Sequence, residues 1–134
     1  MKALIAALMF VCASGVWAQG KPLACETDAR AGLSWENKQW VVLPFVKKRF
    51  VLVMDGKNLT NNSVAKALRA DANFLKCTVG YARQVSCHDD SGAYMLFDPS
   101  TNKGGYSVVF GALKEDSSSS KDTVTVSAFT CQPF

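Results

Sequence analysis

The only histidine of the chain, His88, is the residue best suited to acid–base or metal chemistry, because imidazole exchanges protons near neutral pH. Two carboxylates follow it, Asp89 and Asp90. Adjacent residues of a strand point to opposite faces, so His88 and Asp89 are not expected to converge on one substrate. The sequence contains no nucleophile elbow, phosphate-binding glycine loop or paired-carboxylate spacing. We therefore predict no catalytic residues, and a hydrolase acting through His88 remains an alternative.

Four of the five cysteines follow the N-terminal segment: Cys25, Cys77, Cys87 and Cys131. An even number in an exported chain indicates two disulfides, and four cysteines allow three connectivities. Cys77 and Cys87 flank a turn almost symmetrically, whereas Cys25 and Cys131 lie near the two mature ends, which favours pairing within each of these couples. Without a Cys-x-x-Cys pair or a second histidine, no zinc site or other cofactor is predicted.

Trp35 and Trp40 bracket the first predicted turn, at residues 36–38. Such amphipathic aromatic side chains can stack on sugars or on the side chains of a partner. The alternative, which we favour from the pattern, is that both face inward and start the hydrophobic core. Because the pattern leaves both interpretations open, Trp35 and Trp40, together with His88, are the candidate ligand-binding residues.

The first 18 residues have the three-part pattern of a secretory signal. Lys2 precedes an apolar run of about 11 residues, which is short of the ~20 that a spanning helix needs. Val16 and Ala18 occupy the two positions that signal peptidase reads. Cys12 follows the bulky Val11, which disfavours lipidation. We predict a signal peptide at 1–18, a single domain at 19–134, no transmembrane segment, and a periplasmic or secreted protein.

The charge of the chain argues against nucleic-acid binding. The net charge is +4, and losing Lys2 with the signal leaves 14 basic against 11 acidic residues, or +3. The only basic run, Lys47-Lys48-Arg49, is predicted to be a solvated turn or strand end. This is far from the clustered charge of a nucleic-acid-binding domain.

Short alternating segments predict a mainly β fold. In the first predicted strand, 29–35, the odd-numbered residues are apolar, which indicates a half-buried strand. Residues 50–54 are continuously apolar and predict a strand buried on both faces, while 61–70 predict a helix of about two turns. Near the C-terminus the alternation breaks at Phe129, which indicates a bulge or a switch to burial on both faces of the strand. We predict a small antiparallel barrel or sandwich of about 7–8 strands with one short helix.

Three segments resemble a loose group of small, uncharacterised exported β-proteins of Gram-negative bacteria without an assigned activity. They are residues 32–40, residues 96–99 followed by Gly104-Gly105, and residues 129–131. The resemblance implies export and β architecture. At the level of fold alone, the size and four cysteines also resemble periplasmic lysozyme inhibitors, whose inhibitory loop motif this sequence lacks.

These observations favour a non-enzymatic periplasmic binding or inhibitory module. Its expected partner is a protein or glycan of the cell envelope. The first alternative is an envelope-associated structural or assembly protein. The weaker alternative is the hydrolase acting through His88.

Overall fold

A computed structural model describes residues 20–109 and 123–134, so the predicted signal peptide lies outside the described residues. The described residues form an antiparallel sheet of nine strands and one short helix, which confirms the predicted fold class. The elements are β1 (Lys21–Glu36), β2 (Gln39–Pro44), β3 (Arg49–Asp55), β4 (Asn58–Leu59), α1 (Asn61–Leu68), β5 (Lys76–Val79), β6 (Val85–His88), β7 (Ala93–Asp98), β8 (Lys103–Val108) and β9 (Thr123–Pro133).

Eight strands follow one another across the sheet in the order β4-β3-β1-β9-β8-β7-β6-β5, and β2 pairs with β1 beside this path. The two end strands are joined by side chains instead of a backbone ladder. The amide of Asn58 donates to the carbonyl oxygen of Cys77 at 3.1 Å, and the amide of Asn61 donates to that of Leu75 at 2.9 Å. These bonds link the β4 end of the sheet to the β5 end. The sheet therefore forms a nearly closed barrel.

The longest strand, β1, organises this barrel because it pairs with three others. Its first half pairs with β3 and its second half with β2, both along the same edge. Its other edge pairs with β9 from Leu23 to Ser34. The described residues contain no helix with the length and hydropathy needed to cross a bilayer.

The core fills the half of the barrel nearest the first residues of β1 and the last residues of β9. Phe97 and Phe129 stack there with ring centroids 6.2 Å apart, and Leu52, Met95 and Val64 are fully buried beside them. The disulfides Cys25–Cys131 and Cys77–Cys87, the pairing favoured from the sequence, each join directly opposed residues of neighbouring strands. The sequence separations, 106 and 10 residues, correspond to roughly 4–5 and ~3 kcal/mol of stabilisation in the chain-entropy model. Two disulfides also fit an oxidising compartment.

The helix α1 packs across the barrel interior, with Val64, Ala67 and Leu68 buried. The N-cap of α1 is Thr60, whose side chain makes no capping hydrogen bond. Ser63 instead accepts a hydrogen bond from the backbone N–H of Val53 in β3, at 3.1 Å. A two-turn helix needs such tertiary contacts, because it is too short to persist alone.

A β-bulge at Asp28 reverses which residues of β1 face inward. Thr27 pairs with Phe129 and Ala29 with Ala128, so Asp28 is an extra residue in β1. An extra residue shifts the two-residue alternation by one. Before the bulge the odd-numbered residues face the interior. After it, the even-numbered ones do, and Ser34 is fully buried.

This reversal overturns two expectations, and a third, about β3, fails for a separate reason. The apolar residues of 29–35 lie on the outer face, so Trp35 and Trp40 do not start the core. In β9, Thr125 and Ser127 are buried and continue the inner face of Phe129, whereas Val126 is 61% exposed. The expected break at Phe129 is therefore absent, because the bulge lies in the partner strand. In β3, Val51 is exposed, so that strand is not buried on both faces.

Gly104 is predicted to be essential for packing of the aromatic core. It lies between Phe97 and Phe129 in the cross-strand register, and a Cβ there would meet the Phe129 ring and lie 2.5 Å from the carbonyl oxygen of Leu96. We expect Gly104→Ala to lower the free energy of unfolding by about 1–3 kcal/mol, measured by urea denaturation. Gly80→Ala is the control, since its Cβ would lie an ordinary 3.6 Å from the Gln84 oxygen. Equal effects of the two substitutions would contradict this account of the core.

Candidate functional site

The barrel end beyond the bulge has a polar interior. The bulge turns Arg30 inward, where its cross-strand neighbour is Ser127 in β9, and Ser127 in turn pairs with Tyr106 in β8. Ser34 and Thr125 extend this polar surface toward the open end. The sequence therefore builds half of the barrel interior from side chains that can donate or accept hydrogen bonds.

A cavity of about 580 Å³, here called the mouth cavity, opens among these side chains. It is bounded by β1, β7, β8 and β9, by the C-terminal end of α1 and by the turn before β7. Its volume is within the range of small-molecule sites. Arg30, Lys48 and Arg69 supply the positive charges of its lining, and Asp71, Asp89 and Asp90 supply the negative ones.

Lys48 is positioned by two hydrogen bonds to Thr27, the residue before the bulge. The Lys48 N–H donates to Thr27 Oγ1 at 2.7 Å, and the Thr27 N–H donates to the Lys48 oxygen at 3.0 Å. The Lys48 ammonium donates to the carbonyl oxygen of Ala67 at 2.6 Å, near the end of α1. Burial, then the nearby charges of Arg69 and Arg30, lower the pKa of Lys48. All three cations line the same cavity, and both arginines act on the Lys48 charge in the repulsive direction.

Arg30 and Arg69 are held differently from Lys48. The Arg30 guanidinium lies over the Phe45 ring, 5.2 Å from its centroid, and donates from Nη1 to the Val46 oxygen at 3.5 Å. Arg69 closes α1 in the left-handed conformation with φ 59°, where glycine or asparagine is usual. Within the described residues, the one ion pair is Arg49–Glu26, so none of the three cations of the mouth cavity has a carboxylate within 4.0 Å.

Four buried polar atoms have no hydrogen-bond partner among the described residues, and all four belong to the inner face at this end of the barrel. They are Arg30 Nε, Ser34 Oγ, Tyr106 OH and Ser127 Oγ. Tyr106 lines the mouth cavity and is only 4% exposed. Leaving such a group unpaired costs about 1–3 kcal/mol, so native proteins normally satisfy it with ordered water or a bound molecule.

The carboxylate of Asp89 is hydrogen-bonded within its own turn. It accepts hydrogen bonds from the Ser91 N–H at 3.0 Å, the Ser91 hydroxyl at 2.7 Å and the Ala93 N–H at 2.9 Å. Burial acts to raise the pKa of Asp89, but these hydrogen bonds together outweigh burial and hold the pKa below its ordinary value. Asp71 similarly accepts from the Asn73 N–H at 2.9 Å.

The residues selected from the sequence do not line the mouth cavity. Trp35 and Trp40 are cross-strand partners on the outer face of the β1–β2 hairpin, and their rings meet edge to face with centroids 5.1 Å apart. His88 is exposed in β6 between Lys76 and Tyr94, while Asp89 turns into the cavity lining. The two tryptophans thus meet each other, but His88 lies on a different part of the sheet.

The cavity residues that the sequence analysis missed are Arg30, Lys48 and Tyr106. The run 47–49 predicted a solvated segment, but Lys48 turns into the cavity while Lys47 and Arg49 line a separate surface cleft. A usable signal was the presence of two polar stripes, one in 30–34 and one in 125–127. Neither stripe alone shows that it faces the interior.

The described residues contain no cluster of three or more His, Cys, Asp or Glu side chains that could hold a metal ion. No protein-family model matches the chain, and no curated protein or solved structure is significantly similar to it.

The hydrogen bond from Lys48 to Thr27 is predicted to hold the cavity wall in place. Thr27→Val keeps the side-chain shape but leaves the Lys48 N–H without its acceptor, so we expect a loss of about 1–2 kcal/mol in unfolding free energy. The control is Thr130→Val, which removes only the exposed hydrogen bond to Asp28 and should cost about 0.5 kcal/mol or less. A smaller effect of Thr27→Val than of Thr130→Val, by chemical denaturation, would contradict this role.

The lowered pKa of Asp89 predicts a pH-dependent contribution to stability. Because the folded pKa lies below the unfolded one, the contribution is complete above the ordinary aspartate pKa of about 4 and is lost as the pH falls through the folded value. We expect the stability difference between wild type and Asp89→Asn to be present at neutral pH and to shrink below about pH 4. Asp90→Asn is the control, and a difference that grows on acidification would refute the assignment.

Proposed function

We propose that the chain is an exported, non-enzymatic binding module of the bacterial periplasm, and that the mouth cavity is its ligand site. The observation that carries the proposal is the combination of a cavity of about 580 Å³ with buried, unpartnered polar atoms in and beside its wall. Two of these atoms belong to residues of the cavity lining, Arg30 and Tyr106, where a bound molecule would supply hydrogen-bond partners and offset the cost of burial. The predicted signal peptide and the two disulfides support export.

Binding is favoured over hydrolysis by the chemistry of the cavity lining. The one close hydroxyl–carboxylate pair there joins Ser91 and Asp89 at 2.7 Å. A general base works best when its pKa is near the working pH, whereas the pKa of Asp89 is lowered. Asp89 is thus a weak base for activating Ser91. His88, the stronger base by type, is exposed on the sheet outside this cavity.

The rigid scaffold also supports a binding role. The aromatic core and the Cys25–Cys131 disulfide brace the opposite half of the barrel, and the bulge fixes both Arg30 and Lys48 on adjoining segments. Preorganised donors bind a ligand with less loss of conformational entropy than mobile ones. The partner in the envelope would then be recognised through a small group that enters the cavity.

The proposal predicts that filling the cavity abolishes small-molecule binding. Ala70 lines the mouth cavity and is partly exposed, so the larger side chain of Ala70→Trp should occupy the cavity. We expect fragments found by saturation-transfer NMR on the wild type to lose their signals with Ala70→Trp. Ala82→Trp, on an exposed turn elsewhere, is the control and should retain them. Fragment binding that survives Ala70→Trp unchanged, or no fragment binding to the wild type, would refute the proposed site.

A further inference from the structure

We infer that the mouth cavity takes a small organic carboxylate, with its charged group between Arg30 and Lys48 and its apolar part against the end of α1. This inference rests on the proposed function, because it names the ligand class of the same site. It follows from three features. They are the cations without an ion-pair partner among the described residues, a buried hydrogen-bond donor without an acceptor, and the apolar and acidic groups that line the cavity.

The first feature is a group of positive charges that the described residues do not neutralise. Arg30, Lys48 and Arg69 come from β1, from the segment before β3 and from the end of α1, yet all three line the same cavity, where both arginines repel the Lys48 charge. None has a carboxylate within 4.0 Å among the described residues. An anion placed among them would relieve this repulsion in a partly buried site, where charge-assisted hydrogen bonds are strong.

The second feature is a buried donor without an acceptor. Arg30 Nε carries an N–H group and no lone pair available for accepting, so only an acceptor can satisfy it. The Tyr106 hydroxyl, in the same cross-strand row, can donate as well. A carboxylate has two oxygens with several acceptor positions, which suits a lining that includes a guanidinium, an ammonium and a phenol.

The third feature favours a single negative charge with an apolar part. Leu68, Ala93 and Val108 line the cavity beside the cations, and they offer apolar surface. Asp71, Asp89 and Asp90 also line the cavity, and their charges would repel a second negative charge. The carboxylates of Asp71 and Asp89 accept hydrogen bonds within their turns, and among the described residues neither forms an ion pair with a cation of the cavity. A monoanionic carboxylate with a short hydrocarbon chain fits this arrangement better than a phosphate.

The test compares matched probes of different charge on the purified mature protein. Octanoate, octanamide and inorganic phosphate are titrated at pH 7 and low salt, and the dissociation constant is measured by calorimetry and by NMR chemical shifts. We expect octanoate to bind at least about tenfold more tightly than octanamide, which has the same chain without the charge. Inorganic phosphate, which lacks the apolar part, is expected to bind more weakly than octanoate.

Two substitutions test the cations, and one provides a matched control. Lys48→Met and Arg69→Asn should each weaken octanoate binding by about tenfold, while octanamide binding changes little. Asparagine tolerates the left-handed backbone at position 69, so this variant is expected to fold even if Lys48→Met does not. The control is Lys47→Met, the neighbouring basic residue of the same run, which lines the separate cleft and should leave octanoate binding unchanged.

The outcomes separate this inference from the proposed function. Equal affinity for octanoate and octanamide, or equal losses with Lys47→Met and Arg69→Asn, would overturn the carboxylate assignment. If fragments bind the wild type and are lost with Ala70→Trp, the site itself stands in either case. Tighter binding of phosphate than of octanoate would also overturn it, in favour of an inorganic-anion site. If Ala70→Trp leaves all binding intact, both the site and its ligand class are refuted.

Discussion

The extra residue at Asp28 in β1 is the constraint on which the rest of this barrel depends. A strand has only two faces, so one inserted residue exchanges the inward and outward sets for the whole segment that follows. Here the exchange brings Arg30 and Ser34 into the interior and turns the apolar residues of the same segment outward. The adjacent Thr27 then binds the backbone of Lys48 from both its side chain and its amide. One local irregularity thus positions two of the three cations of the mouth cavity.

The bulge divides the barrel into two parts with different physical roles. Below it, Phe97 and Phe129 form a close-packed core, and the Cys25–Cys131 disulfide closes the longest loop of the described fold. Above it, hydroxyl groups and cations occupy the interior, and several buried polar atoms lack partners among the described residues. Unpaired buried groups destabilise a fold by an amount comparable to a substantial fraction of its total stability. The apolar half and the disulfides offset that cost, which allows the other half to retain groups suited to binding.

The same exchange of faces explains the unusual exterior of the β1–β2 hairpin. Val42 is 74% exposed, and the Trp35–Trp40 pair covers part of the outer surface instead of the core. Among the described strands β2 pairs with β1 alone, so its other edge carries free backbone groups. The sequence places no charged residue in β2, although charged side chains are a common protection for such edges. The apolar residues of β1 after the bulge thus lie on the outer face because the bulge exchanges the two faces of the strand.

The sequence by itself determined the mainly β class, the short helix, the turn near 36–38, and the cysteine pairs as the favoured connectivity. These features depend on local chemistry, such as turn-forming residues, alternation and the positions of cysteines around turns. Tertiary structure alone decided which face of β1 and β9 is buried, because alternation shows that two faces differ but not which one meets the interior. Asp28 carries no local mark of a bulge, since the insertion is defined only by its pairing with β9. The cations of the mouth cavity, Arg30, Lys48 and Arg69, lie far apart in the chain and are brought together only when the sheet closes into a barrel.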